Sequence, residues 1–283
     1  RGRTSATMNL ANIVDNSDGQ LFPTVYNNVR DEFAARPIPQ TLTFPLLASI
    51  TAVRSVLQSV STPMWGWWSD RHSRKRVLAL GCWFWGIFTL LTALSSEYID
   101  MLLFRALTGI GLAVIIPTTN SLITDYYPPR KRGAAFGLLG LTGVIGTILG
   151  TLFMTALPGD PSVKIFGFTG WRFGFVVWAA VSLLIGLLVW VFVKDPLRGG
   201  VEPELMKALT WQKAEKYKLK RSDYGKIMKN RTFLMVLAQG VAGTIPWNGI
   251  MFMVAWFERI GFDYLTAGIM FVVIAIGAAL GNV

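Results

Sequence analysis

Long apolar runs separated by short polar connections dominate the chain. Eight stand out, at residues 8–27, 42–68, 77–96, 99–124, 133–157, 171–193, 232–257 and 265–283. Each is close to or beyond the ~20 residues a helix needs to cross a bilayer's hydrocarbon core. The third, fifth and sixth are continuously apolar. The first is interrupted by Asp15, Asn16, Asp18 and Gln20. At helical spacing its Asn9, Asn12, Asn16, Gln20 and Asn27 fall on one stripe, opposite Leu10, Val14, Leu21 and Val25. A helix with an amide stripe needs a polar partner or water, so span one is expected to line a wet cavity.

Charge then orients these runs. Counted by connection, 20 Lys and Arg residues fall on one side of the predicted membrane and 4 on the other, with Arg54, Arg105 and Arg172 in or at the ends of spans. The positive-inside rule places the richer side, and the N-terminus with it, in the cytoplasm. This segregation explains the net charge of +11 better than nucleic-acid binding does.

Composition agrees with a membrane class. Hydrophobic residues make up 52% of the 283 and mean hydropathy is +0.46. The 28 Gly suit close helix packing in lipid. One Cys (Cys82) and one His (His72) argue against an intrachain disulfide, a cysteine-based metal site and Ser-His chemistry, and no cofactor or metal is expected. The sequence starts without Met and stops inside an apolar run, so it is expected to be a piece of a longer protein.

Four elements carry candidate chemistry. The loop Gly66-Trp67-Trp68-Ser69-Asp70-Arg71-His72-Ser73-Arg74-Lys75-Arg76 joins spans two and three. Asp70 with Arg71 and Arg74 is expected to form a cytoplasmic latch, with Gly66 and Lys75 part of the same gate. Span four carries Arg105-Ala106-Leu107-Thr108-Gly109-Ile110-Gly111, and its face running Arg105, Thr108, Gly109, Leu112, Ile116, Thr119, Asn120 reads as a partly polar stripe. A charge inside a bilayer is expensive and marks a functional candidate. Arg54 and Gln58 are one turn apart in span two, placed to meet a polar substrate group or Asp18. Span five has Gly133, Gly137, Gly140, Gly143, Gly146 and Gly150 at spacings of three and four, which serve packing or gating. In span seven Gln239 and Asn248 break the apolar run and Pro246 is expected to kink it. Asp125, at the end of span four, sits in a turn that reads as a second latch.

The loop resembles the signature between the second and third helices of the major facilitator superfamily, roughly G-x-x-x-D-R-x-G-R-[RK], with Ser73 in place of Gly. The Arg105 element resembles the superfamily's R-x-x-x-G-x-G. Asp15, Arg105 and Asp195-Pro196-Leu197-Arg198-Gly199 together look most like spinster-like transporters, plant and protist members in particular. The resemblance implies an all-α membrane fold. Residues 1–193 would be a complete six-helix bundle, 194–231 a basic cytoplasmic linker lying on the membrane surface through 203–229, and 232–283 the start of a second bundle. It also implies a lysolipid or sphingoid lipid as substrate.

The expected function is secondary active transport by alternating access. Asp15 and Arg105 would form a coupling pair, and Asp18, Asn16, Arg54, Gln58, Asn120, Gln239 and Asn248 would complete the substrate cavity. A carboxylate that loses its Arg partner can carry a proton. Expected partners are a lipid or small solute, protons or another coupling ion, and membrane lipids. An uncoupled uniporter and a non-transporting lipid receptor or scaffold are the alternatives. An enzyme finds no support in any nucleophile or metal pattern.

Overall fold

The computed structural model of the chain describes residues 2–35, 42–196, 225 and 229–280, and within these leaves out the side chains of 241, 243–248 and 278–280. The surface segment expected at 203–229 and the last three residues of the eighth span therefore lie outside the described residues, residue 225 and Lys229 apart.

The described chain is almost wholly helical. The helices are α1 (Gly2–Thr24), α2 (Tyr26–Ala34), α3 (Phe44–Arg71), α4 (Arg74–Ala93), α5 (Tyr98–Leu112), α6 (Ile115–Tyr126), α7 (Pro129–Thr155), α8 (Gly170–Phe192), α9 (Arg231–Ile250), α10 (Met253–Arg259) and α11 (Tyr264–Leu280). The expected spans are all present, but three of them are broken in two. The fourth divides at Ala113–Val114 because Pro117, in the first turn of α6, has no N–H for the Ala113 carbonyl and its ring crowds that group. The first gives way at Val25, two residues after Pro23. The seventh breaks at Met251–Phe252, just past Gly249, rather than at Pro246, through which α9 continues.

Among the described residues, four stretches are long and apolar enough to cross a membrane by length and composition: Arg74–Ala93, Tyr98–Tyr126, Pro129–Thr155 and Gly170–Phe192. Helices α1 and α3 are not among them; they carry many polar residues, several of which point inward. Asn12, Ser17, Asp18, Gln20 and Arg54 are all buried. The outer surface is correspondingly oily, with Val56, Val60, Ile87, Leu103, Leu184 and Leu187 exposed. An outside this apolar beside a polar inside suits a lipid solvent.

Packing divides the chain into two groups. Helices α1–α8 share one core that includes Phe22, Trp85, Trp171 and Phe175, while Val254, Phe257, Ala267 and Phe271 form a second, smaller cluster in α10 and α11. Helix α4 lies along α8, and α1 along α7. The α1–α7 approach needs glycine. A Cβ on Gly146 would sit 2.3 Å from the Ile13 carbonyl oxygen, and one on Gly150 2.6 Å from that of Ser17. Gly133, Gly137 and Gly140 have open space around the same position, so only the second half of the glycine ladder packs a neighbour. A feature absent from the sequence reading is a small hairpin, β1 (Lys164–Ile165) with β2 (Phe168–Thr169). Phe166 and Gly167 turn it, both at positive φ, as a two-residue hairpin of this hand requires.

Candidate functional site

A cavity of about 260 Å³ lies where the two groups of helices face each other. Helix α1 contributes Asp15, Asn16, Gly19 and Gln20, and α3 contributes Arg54 and Gln58. Ile116 of α6 and Val144 and Thr147 of α7 complete the first side. Ile250, Met251, Phe271, Ile274 and Ala275 close the second. Four expected site residues therefore meet here: Asp15, Asn16, Arg54 and Gln58; Asp18, on the same helix as Asp15, does not line the cavity. Asn120 is half-buried and Gln239 exposed, and neither lines the cavity. The side chain of Asn248 lies outside the described residues.

The charges divide differently from the expectation. Arg105 pairs with Asp18, not with Asp15. Its Nη1 is 3.2 Å from Asp18 Oδ2 and donates to Oδ1 at 3.3 Å, and Nη2 donates to the Asp18 carbonyl oxygen. Thr89 donates to the same carboxylate, and the guanidinium also lies over Phe22 and Phe175. Both side chains are shut off from the cavity, at 1% and 0% exposure. The neighbours of α1 explain the swap. Asp15 and Asp18 are three residues apart, only about 60° from each other around the axis, so both sit on one broad face of α1, at whose edges Asp18 meets Arg105 of α5 and Asp15 borders the cavity. The polar stripe expected on span four is likewise buried at Arg105, Thr108, Leu112 and Thr119, with only Ile116 reaching the cavity.

Asp15 is half-buried and has no ion pair within 4 Å among the described residues. Arg54 is buried, and its one hydrogen bond there runs from Nη1 to Gln58 Oε1 at 3.2 Å. The pair with Asp18 is not formed. Gly109 allows this placement, since a Cβ on it would come 2.4 Å from the Arg54 carbonyl oxygen. The amide stripe of α1 divides by depth. Asn9 and Asn12 are bonded to Thr142 of α7, with Asn12 also donating to the Leu139 carbonyl. Asn16 and Gln20 remain for the cavity.

At the end carrying the basic loops, the expected latch is rearranged. Asp70 is exposed and makes no ion pair with Arg71 or Arg74. Arg74 instead pairs with Asp125 at the end of α6, both nearly buried. Arg71 lies over the Trp67 ring at 3.8 Å. Ser73 caps α4 and bonds Asp195, whose Oδ1 also accepts from the Lys75 N–H. Asp70 is the last but one residue of α3 and its side chain leaves the bundle, whereas Asp125 sits beside Arg74. Gly66 makes no tight approach, its nearest neighbour being Pro117 at ordinary contact distance.

At the opposite end a second ionic node ties the first group together. Glu32 of α2 accepts from Thr169 Oγ1, Trp171 Nε1 and Arg172 Nε, and Arg172 also donates to the Ala93 and Ser95 carbonyls. Here too the groups touch. Asn27 donates to Glu258 at 2.7 Å, Tyr264 to the Met154 carbonyl at 3.0 Å, and Phe252 packs on Tyr26 and Phe44. Sequence reasoning missed Glu32 and Glu258, and it placed Gln20 in the amide stripe of span one without naming it among the site residues. Glu32 and Glu258 sit at helix ends where an acid looks ordinary.

The sequence profile of the Major Facilitator Superfamily matches residues 10–283. The chain belongs to the major facilitator superfamily. The superfamily's folds are those of multi-pass membrane transporters, which the apolar helices fit. A bacterial homologue of the human lysosomal transporter spinster, solved in an inward-facing and unoccupied conformation, superposes with a TM-score of 0.80 at 24% identity, over 99% of this chain and 60% of that one. At that identity the likeness shows the fold. Protein spinster of Drosophila melanogaster is 26% identical over 199 residues, 68% of this chain and 30% of its own length. Multidrug resistance protein 3 of Bacillus subtilis is 31% identical over 118 residues, 40% of this chain and 23% of its own length. The chain thus spans less than a third of either curated relative.

Proposed function

We propose that the protein carrying this chain is a secondary active transporter that works by alternating access, with its substrate held in the cavity between the two groups of helices. The observation that carries the reading is the composition of that cavity. One wall bears Asp15 and Arg54, which among the described residues have no carboxylate–guanidinium pair within 4 Å, and the facing wall is apolar. Unpaired charges beside a bilayer interior are expensive and are kept where they handle an ion or a substrate. In this reading Asp15 gains and loses a proton while Arg54 meets the polar end of the substrate. Arg105 and Asp18 form a fixed pair behind them. Residues 1–193, 194–231 and 232–283 are then a first bundle, a linker and the beginning of a second bundle. The basic-loop end faces the cytoplasm.

The closed contacts at the far end, Asn27–Glu258 and Tyr264–Met154, fit a cavity reached from the basic-loop side. The similarity to spinster proteins makes a lysolipid or sphingoid lipid the first substrate to try, then a small organic anion. The test is uptake into proteoliposomes with and without an imposed pH gradient. Gradient-driven uptake that Asp15→Asn abolishes is the expected result. Uptake indifferent to the gradient and to that substitution would leave a uniporter and remove Asp15 from coupling.

A further inference from the structure

The hairpin between α7 and α8 ends in an apolar tip. Phe166 is 89% exposed, more than any other large hydrophobic residue among those described. Its φ is 50° and that of Gly167 is 85°. A two-residue turn of this hand favours Asn or Gly at its first position, and a bulky residue there is strained. The turn alone gives no reason for Phe. The tip is also held in place. β1 pairs with β2, Thr169 at the end of β2 donates to Glu32, and Asp160 accepts from the Ser162 N–H just before the hairpin begins.

The neighbours of Phe166 set its height. Its ring lies 6.0 Å from that of Phe173, in the first turn of α8. Phe173 shares a helix face with Ala180, Leu184, Leu187 and Val191, all four exposed. Phe166 therefore extends the oily outer stripe of α8 beyond the helix end. With 23 residues α8 is about 34 Å long, close to the ~30 Å of a bilayer's hydrocarbon core, so its first turn lies at the boundary between acyl chains and headgroups. Lys164 is exposed and makes no ion pair within 4 Å among the described residues.

We propose that the tip at 164–167 is a lipid-docking wedge, with Phe166 seated among the upper acyl carbons of the leaflet opposite the basic loops and Lys164 on a phospholipid phosphate. The proposal needs the membrane fold and no particular transport activity. An aromatic ring at the headgroup boundary and a lysine reaching a phosphate are the side chains this depth favours. The wedge is tied to α2 through Thr169 and Glu32, and it rests on α8 through Phe173. It thus fixes the depth of that end of the first group of helices in the bilayer.

The test uses the protein in phosphatidylcholine nanodiscs. Phe166→Cys and Ser162→Cys, each with the buried Cys82 changed to Ala, carry the fluorophore NBD. The label at 166 is expected to emit further to the blue than the label at 162. Nitroxide lipids labelled at the headgroup or near the top of the acyl chain quench it more than those labelled near the chain end, and aqueous iodide quenches it less than the label at 162. Lys164→Glu, which sets an acid against the phosphates, lowers the quenching by nitroxide lipids. A second measurement compares amide hydrogen exchange at 166 and 167 in the unlabelled protein with that in Phe166→Asn, a substitution that suits the turn. Seating a large apolar ring in lipid favours the docked state by about tenfold or more, so the Asn variant is expected to exchange there about tenfold faster. Equal iodide quenching at 166 and 162, a blue-shifted label that no nitroxide lipid reaches, or equal exchange with and without Phe166→Asn overturns the proposal. The second of these is the result expected if another copy of the chain covered the tip.

Discussion

Replacing Asp18 with Asn isolates the cost of leaving Arg105 unpaired in the interior. The substitution keeps volume and shape, so no cavity opens. At 3.2 Å and an effective dielectric of about 20, the lost attraction is about 5 kcal/mol. Part of it is retained, because the Asp18 carbonyl still accepts from Arg105 Nη2 and an amide oxygen can still accept from Nη1. Two aromatic faces also remain around the guanidinium. Breaking a buried pair from one side costs about 3–5 kcal/mol, and these remaining contacts place Asp18→Asn near the lower figure, about 3 kcal/mol. The assay is a reversible sodium dodecyl sulfate titration in mixed micelles, followed by tryptophan fluorescence. Removing both charges, Asp18→Leu with Arg105→Met, is expected to recover most of the loss, because two desolvated ions are then replaced by apolar packing. A cost below about 1 kcal/mol for Asp18→Asn would refute the reasoning, since Arg105 would then have water or another partner within reach.

Asp15→Asn in the same titration is expected to change stability by less than about 1 kcal/mol, because the carboxylate has no ion partner to lose, while gradient-driven uptake is lost. Arg74→Ala is expected to cost about 3 kcal/mol in that titration, and exchanging the pair as Arg74→Asp with Asp125→Arg should restore more stability than either single change leaves. Gly146→Leu puts a side chain into the Ile13 carbonyl and is expected to abolish folded material in gel filtration, whereas Gly140→Leu, with nothing within 4 Å of its Cβ position, should leave the elution profile unchanged.

The fold was legible because its governing signals are local. Lipid demands ~20-residue apolar runs and segregates basic loops, and both are written along the chain. The breaks were less legible. Pro117 announces the one in span four, but Met251–Phe252 gives way where Gly249 weakens the helix and not at the more conspicuous Pro246. At the site, helical spacing picked out Asn16 within span one and Arg54 with Gln58 within span two, while their sharing of one cavity came from the transporter resemblance and not from the stripes. What the sequence could not give is which acid meets which base. Asp15 and Asp18 look equivalent in a row of letters and lie only about 60° apart around α1, so which of them meets Arg105 is decided by the neighbours of that helix and not by its own periodicity. The same holds for Arg74, whose partner comes from a helix 51 residues away rather than from the adjacent Asp70.

The distribution of paired and unpaired charges supplies a mechanical reason for this arrangement. Within α1–α8, buried or nearly buried ion pairs occur at three levels: Arg74–Asp125 at the basic-loop end, Arg105–Asp18 in the middle and Arg172–Glu32 at the opposite end. Each joins helices far apart in sequence, and losing one partner of a buried pair is expensive, so these helices resist moving past one another. Contacts from this group to α10 and α11 are of another kind. They are helix packing of α11 on α7, where Gly268 lies close against Thr155, and neutral or singly charged hydrogen bonds, Asn27–Glu258 and Tyr264–Met154, with Phe252 resting on Tyr26 and Phe44. Hydrogen bonds of this sort contribute about 0.5–3 kcal/mol each and can be exchanged for water or for new partners. Alternating access by rocking needs this contrast between a body that moves as one and a seam that opens at modest cost. Asp15 and Arg54 lie at the seam, and in the proposed transporter reading a change in their occupancy would act on the weak contacts and leave the strong ones intact.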